Sequence, residues 1–170
     1  MLLARLKRAS SQKESVDKSS LSLLWITIIV SIAVASFVKS TGIGNLKNYI
    51  AVIHYGGVVL ILIGLIIRWV AILKLKKFFT VNVSIAENHK LIKSGIFKYL
   101  RHPSYTGSLL SFIGLGVAFI NWMSILIIFI PVLVSFLYRI SVEEKVLTQL
   151  FGEEYKSYSK STKKLLPFIY

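Results

Sequence analysis

Residues 107–138 read GSLLSFIGLGVAFINWMSILIIFIPVLVSFLY, without one charged side chain. A helix that crosses a bilayer uses about 20 mostly apolar residues. This run is too long for one comfortable crossing and suits two, provided that something divides it. Asn121-Trp122 is the polar break. The stretch therefore reads as a helical hairpin, with spans over about 107–120 and 123–140. The first of these is short, and the turn at 104–106 can extend its start. Outward from the hairpin lie two more apolar runs. One covers 21–38 and carries no charge; the other covers about 49–73, with His54 near its start and Arg68 near its end. The expected fold is an all-α integral membrane protein of about four transmembrane helices, with both termini on one side.

Composition agrees. Hydrophobic residues make up 55% of the 170 and charged residues 16%, with a mean hydropathy of +0.70. A disordered chain is excluded, because it lacks such apolar content. The absence of cysteine excludes disulfide scaffolds, zinc–thiolate sites and thiol nucleophiles. A net charge of +14 would suggest nucleic-acid binding in a soluble protein. Here the Lys and Arg residues sort by segment: five in 1–20, two between the first two spans, seven from 74 to 101, none at Asn121-Trp122, and six from Arg139 onward. This alternation follows the positive-inside rule. It predicts cytoplasmic termini, a cytoplasmic middle loop, membrane lipids as partners and no nucleic acid. Anionic headgroups can add to the same attraction. Ala33-Val34-Ala35 resembles a signal-cleavage site, but cleavage there would invert the charge pattern, so the first span is expected to be retained.

A four-span protein needs only short loops, yet the middle loop and the tail each run to about 30 residues, a length that usually carries function. The loop contains His89-Lys90-Leu91-Ile92-Lys93-Ser94-Gly95-Ile96-Phe97 and then Arg101-His102-Pro103-Ser104-Tyr105-Thr106-Gly107. Pro103 suits the first position of a helix, and His102 before it is pushed out of helical geometry. A helix N-terminus at the membrane edge, with Arg101 beside it, can hold an anion. Equally, Arg101 and His102 can extend to lipid headgroups. In the tail, Arg139 and Glu143 are four apart and share a helix face. Arg139 can hold a carboxylate there and Glu143 can accept from a hydroxyl or an ammonium, or the two form a weak surface ion pair. Gly152 caps that helix, and a second short one follows until Pro167. Gly107, Ser111, Gly114 and Ala118 share one face and favour close helix packing in lipid. Pro131 is expected to kink the last span. Arg68, near the cytoplasmic end, is expected to snorkel, and His54 to stand far from the other polar groups. Gly42-Ile43-Gly44 is a turn; it lacks the third glycine of a nucleotide-binding loop.

The loop pattern H-x-L-x-x-x-G-x-F-x-x-x-R-H-P-S-Y-x-G, followed by R-x-x-x-E-E, F-G-E-E-Y-x-x-Y and L-P-F-I, resembles the isoprenylcysteine carboxyl methyltransferase family of integral-membrane enzymes. The resemblance runs from about Arg68 to Ile169. It implies use of S-adenosyl-L-methionine, in a cytoplasmic pocket formed by the middle loop and the C-terminal helices. It also implies cofactor-binding roles for His89, Lys90, Leu91, Ile92, Phe97, His102, Pro103, Ser104, Tyr105 and Glu143. Arg139 would hold the acceptor, a prenylated or similar lipid-like carboxylate; Arg101 joins it as a catalytic candidate from the anion-site argument. No metal is implied. The family usually has Tyr where this chain has Phe97, so a hydroxyl contact is lost at that position.

The chain then divides into a basic N-terminal segment (1–20), a first span with its outer loop (21–48) and a methyltransferase-like membrane core (49–170). A carboxylate acceptor is already anionic at neutral pH and requires no general base. Other acceptors would define a phospholipid N-, thiol S- or phenol O-methyltransferase. An NADPH-dependent sterol-reductase-like enzyme shares R-H-P-x-Y but often has an acidic residue where this chain has Ser108. A non-catalytic membrane scaffold is the remaining alternative; it would bind neither cofactor.

Overall fold

The computed structural model describes residues 2–48, 50–75 and 91–165, and for 2–18 the backbone alone. The described residues form α1 (Leu2–Ser40), α2 (Ile50–Leu75), α3 (Pro103–Ala118), α4 (Trp122–Phe151) and α5 (Glu153–Ser161), with a 3-10 turn at Gly95–Lys98 ahead of α3. Among them there is no strand, only two isolated bridges, Asn45 with Asn121 and Leu100 with Lys163.

Among the described residues, three segments are long and apolar enough to cross a membrane: Ser19–Ser40, Ile50–Leu75 and Trp122–Phe151. At 16 residues, α3 is about 24 Å long, short of the roughly 30 Å hydrocarbon core. Its limits are fixed by sequence. His102 is its N-cap and Pro103 its first residue; beyond its far end, Asn121 turns the chain into α4. The Asn121 side chain accepts from the Ser124 amide at 2.9 Å. It donates to the Ile43 carbonyl and to Asn45 Oδ1, both at 2.7 Å. Beside it, Ile120 has a φ of 57°, a conformation that costs a β-branched residue about 1–3 kcal/mol. The turn is held by Ile120 N–H donating to Val117 and by Leu46 N–H donating to the Ile120 carbonyl, at 2.8 and 2.9 Å. The α1–α2 loop and the α3–α4 corner thus form one polar lock.

Side by side, the helices lie in the order α2, α3, α4, α1. The α2–α3 seam is built from glycines. A Cβ placed on Gly57, Gly64, Gly107 or Gly114 would come within 3.0 Å of the facing helix backbone. Lipid supplies no hydrophobic drive between helices, so this close packing supplies the attraction. The face of Gly107, Ser111, Gly114 and Ala118 is the one turned to α2, and Ser111 Oγ donates to the Ile61 carbonyl at 3.2 Å. His54 is not isolated: its Nδ1 donates to the Ala118 carbonyl at 2.9 Å, tying α2 to the end of α3. Between α1, α3 and α4 the core contains Leu24, Ile28, Leu109, Val132, Phe136 and Ile140. Large apolar side chains such as Ile29, Phe37, Val52, Ile66 and Val134 are exposed, as lipid contact requires.

With 30 residues, α4 extends about 45 Å, so its last turns rise out of the hydrocarbon core. It continues past Pro131. Gly152, at a φ of 53°, then turns the chain into α5. That helix ends at Ser161 rather than at Pro167, which lies outside the described residues. Thr162 turns extended, and Lys163 N–H bonds the Tyr99 carbonyl at 3.1 Å. The segment at 162–165 is thereby drawn onto the entry to α3.

Candidate functional site

The entry to α3 and the exit of α4 lie at the same end of the row. The extended segment after α5 locks them together. Arg101 N–H donates to the Lys163 carbonyl at 2.8 Å and His102 N–H to that of Lys164 at 3.1 Å. Thr106 Oγ1 donates to the Leu165 carbonyl at 2.6 Å. Tyr158 donates its hydroxyl to the Phe97 carbonyl at 2.7 Å.

Four charged or ionisable side chains meet behind this lock. Glu144 Oε1 accepts from Arg101 Nε at 2.8 Å and lies 3.3 Å from His102 Nε2. Lys164 Nζ stands 3.4 Å from the other oxygen of Glu144. Nη1 of Arg101 donates to the Ser159 and Thr162 carbonyls at 2.6 and 2.5 Å. Arg101, expected as a catalytic residue, also ties the tail to the entry of α3; a buried guanidinium needs such acceptors. His102 is buried, with its Nδ1 3.8 Å from Glu143 Oε2.

A second chain of contacts begins at Glu143. Tyr105 donates to Glu143 Oε2 at 3.0 Å, and the Arg139 guanidinium lies near the same hydroxyl. Tyr105 therefore stands between Arg139 and Glu143, which share the α4 face expected from their spacing. Arg139 is only 3% exposed, and its Nη1 donates to Ser20 Oγ of α1 at 2.8 Å. The Tyr105 ring packs on Phe136, 5.0 Å between centroids, which fixes the hydroxyl.

The other expected cofactor residues are placed as follows. Pro103 is buried; Ser104, Leu91 and Ile92 are half-buried. Phe97 is buried beneath α5. His89 and Lys90 lie outside the described residues. Ser104 accepts from Arg68 at 3.3 Å, and Ser108 accepts from the same nitrogen at 2.5 Å. Arg68 thus turns to the first turns of α3 instead of snorkelling to headgroups, because two hydroxyls are offered across the glycine seam. A shallow depression along α4, lined by Ser141, Glu144, Lys145, Thr148 and Gln149, shares only Glu144 with the cluster.

In α5, the Tyr155 hydroxyl is buried with no hydrogen-bond partner among the described residues, and burial pushes its ionisation upward. Burial likewise pushes Tyr158 up to about 12, against the nearby Arg101 charge. Both phenols stay protonated at neutral pH. Among the described residues, no group of three or more His, Asp and Glu side chains could hold a metal ion.

These features define a small, all-α integral membrane protein with a polar cluster at one end of its helices. The chain belongs to the isoprenylcysteine carboxyl methyltransferase family, whose model it matches over residues 57–149, more than half its length. It is 36% identical over 127 residues to a rice protein (Oryza sativa subsp. indica) titled "Probable protein-S-isoprenylcysteine O-methyltransferase"; the match covers 74% of this chain and 66% of that one. Against protein-S-isoprenylcysteine O-methyltransferase A of Arabidopsis thaliana, identity is 35% over 115 residues, covering 66% of this chain and 58% of the relative. The solved eukaryotic intramembrane Ras methyltransferase, isoprenylcysteine carboxyl methyltransferase, superposes with a TM-score of 0.65 at 28% identity, over 85% of this chain and 52% of that one. The chain thus spans between about half and two thirds of the length of the proteins it resembles.

Glu144, Ser20 and Lys164 were not among the residues singled out from sequence. Glu144 was visible as the second acid of the Glu-Glu pair. Nothing in its spacing shows that Arg101, 43 residues earlier, is its partner.

Proposed function

We propose that this chain is a membrane methyltransferase that uses S-adenosyl-L-methionine to esterify the carboxylate of a prenylcysteine or similar lipid-like acceptor. The observation that carries this is the chain of contacts from Arg139 through Tyr105 to Glu143, beside His102, in a member of this family. The residues suit such a donor. Glu143 keeps 28% of its side chain exposed, enough for a carboxylate to meet a cationic ligand. When bound, S-adenosylmethionine supplies an electrophilic methyl on a sulfonium.

The chain's own residues bind, orient and exclude water. Arg139 holds the acceptor carboxylate, stripped of water, by its planar fork. Tyr105, bonded to Glu143 and close to Arg139, sets the distance between the acceptor and cofactor sides; such alignment is a large part of catalysis. Leu91, Ile92, His102, Pro103 and Ser104 line the cofactor side, and His89 and Lys90 complete it. Arg101 supports the site by clamping the tail. A carboxylate becomes an ester without losing a proton, so no base is needed, which accords with Tyr155 and Tyr158 remaining neutral. In this reading α3, extended by its flanking turns and covered by α2 and α4, makes the fourth crossing. Both termini and the cluster then face the cytoplasm, where the soluble methyl donor enters, while the acceptor arrives from the bilayer.

The test is methyl transfer from labelled S-adenosylmethionine by the purified protein, offered prenylcysteine analogues and lipid extracts. His102→Ala and Glu143→Ala should each weaken cofactor binding about 10- to 150-fold, the worth of one charged hydrogen bond. Arg139→Ala should leave it within a few-fold and cut transfer severely, with partial rescue by lysine. Transfer to a phospholipid amine or a thiol, with Arg139→Ala unimpaired, would overturn the carboxylate assignment.

A further inference from the structure

The arginine assigned to the acceptor is not held by the family-matched segment alone. Arg139 lies inside the match at 57–149, whereas Ser20 lies in α1, 37 residues before it begins. Ser20 is 1% exposed and Arg139 3%, and the contact between them is 2.8 Å. A guanidinium has five donors and no acceptor. On one side Arg139 faces the Tyr105 hydroxyl, which sits on α3; on the other its Nη1 donates to Ser20 Oγ of α1. The ring of Tyr105 is itself packed on Phe136, so that flank is fixed, and the buried Ser20 hydroxyl holds Nη1 on the α1 side. The packing of α1 against α4 also brings Leu24 and Ile28 onto Val132, Phe136 and Ile140. Ser20 thus stands one turn from the helix's own anchor, leucine at position 24.

We propose that Ser20 is a positioning residue: from a helix outside the matched segment, its hydroxyl sets the orientation in which Arg139 receives the acceptor carboxylate. This rests on the reading of Arg139 given above. The inference makes α1 part of the acceptor site rather than an added anchor. The hydroxyl, not the bulk of residue 20, is what matters, since a rotated fork still carries its charge but no longer presents two parallel N–H groups.

The experiment compares wild type with Ser20→Ala, Ser20→Thr, Arg139→Ala and the Ser20→Ala/Arg139→Ala double variant. All are measured in detergent with N-acetyl-S-farnesylcysteine as acceptor and S-adenosylmethionine as donor. Ser20→Ala should raise the acceptor KM or lower kcat/KM about 10-fold or more, with S-adenosylmethionine affinity within two- to three-fold of wild type. Ser20→Thr, which keeps the hydroxyl, should restore most of the loss. In the Arg139→Ala background, removing the Ser20 hydroxyl should have little further effect, as coupled residues show. Unchanged acceptor kinetics in Ser20→Ala, or equal losses with and without Arg139, would overturn the inference while leaving the function standing. An equal drop in Ser20→Thr would also overturn it, as would a parallel loss of cofactor affinity, since either marks a packing defect. Failure of wild type to methylate or bind the farnesylated carboxylate would overturn the function, and this inference with it.

Discussion

Arg101 and His102 converge on a single oxygen of Glu144, and this one carboxylate joins α4 to the tail. Removing it leaves the Arg101 guanidinium, 9% exposed at its side chain, without its anionic partner. Breaking a buried ion pair costs about 3–5 kcal/mol. Because two carbonyls continue to accept from Arg101, Glu144→Ala should cost about 3 kcal/mol in thermal unfolding of the detergent-solubilised protein. Glu153→Ala should cost less than about 1 kcal/mol, since its partner Lys156 and Glu153 itself are exposed. Equal effects would show that Glu144 is no hub. At this scale the sequence was legible where backbone chemistry is local: a proline after His102 announced the start of α3. It was silent where partners are distant. Neighbouring acids point about 100° apart on a helix, and Glu143 and Glu144 accordingly serve different contacts.

At the scale of elements, the α2–α3 seam offers adjacent residues with opposite expectations. A Cβ on Gly56 meets nothing within 4 Å; one on Gly57 runs into the backbone of Ala118 and Gly114. Gly56→Ala should be neutral or stabilising by up to about 1 kcal/mol, through helix propensity. Gly57→Ala should be destabilising by about 1–3 kcal/mol, since overpacking must push two helices apart. Thermal melts of the pair in one detergent decide it, and similar shifts would contradict the seam. The α3–α4 break was readable because Asn121 is polar within an apolar run. The end of α5 was not: Pro167 is a conspicuous stop signal, but Thr162 leaves the helix earlier to pair with the segment before α3. Likewise, the small residues on α3 were visible as one face, while the matching glycines of α2 were lost in a helix apolar all round.

For the whole molecule, topology is the testable property. The chain has no cysteine, so single cysteines report cleanly. One placed at Ser10 and one at Ser157 should resist an impermeant thiol reagent in intact cells, whereas one at Thr41, exposed in the outer loop, should be labelled. Labelling of Ser10 or Ser157 variants from outside would overturn the proposed orientation. Charge distribution supplied this expectation, because positive residues act during insertion. Lateral order was beyond reach: all helices carry apolar residues on several faces, and in lipid such residues do not name a neighbour.

The order α2, α3, α4, α1 has a consequence for biosynthesis. Helices emerge from the ribosome in sequence, yet α1 and α2, made before α3 and α4, do not pack on each other as main partners. The α2 segment finds its mate as soon as α3 is translated; α1 must wait in the lipid until α4 has been made. During that interval Ser20 and Ser31, buried in the finished protein, lack their final surroundings. Closure of the Arg139 side therefore waits for α4, although the helix that completes it was made before α2 and α3.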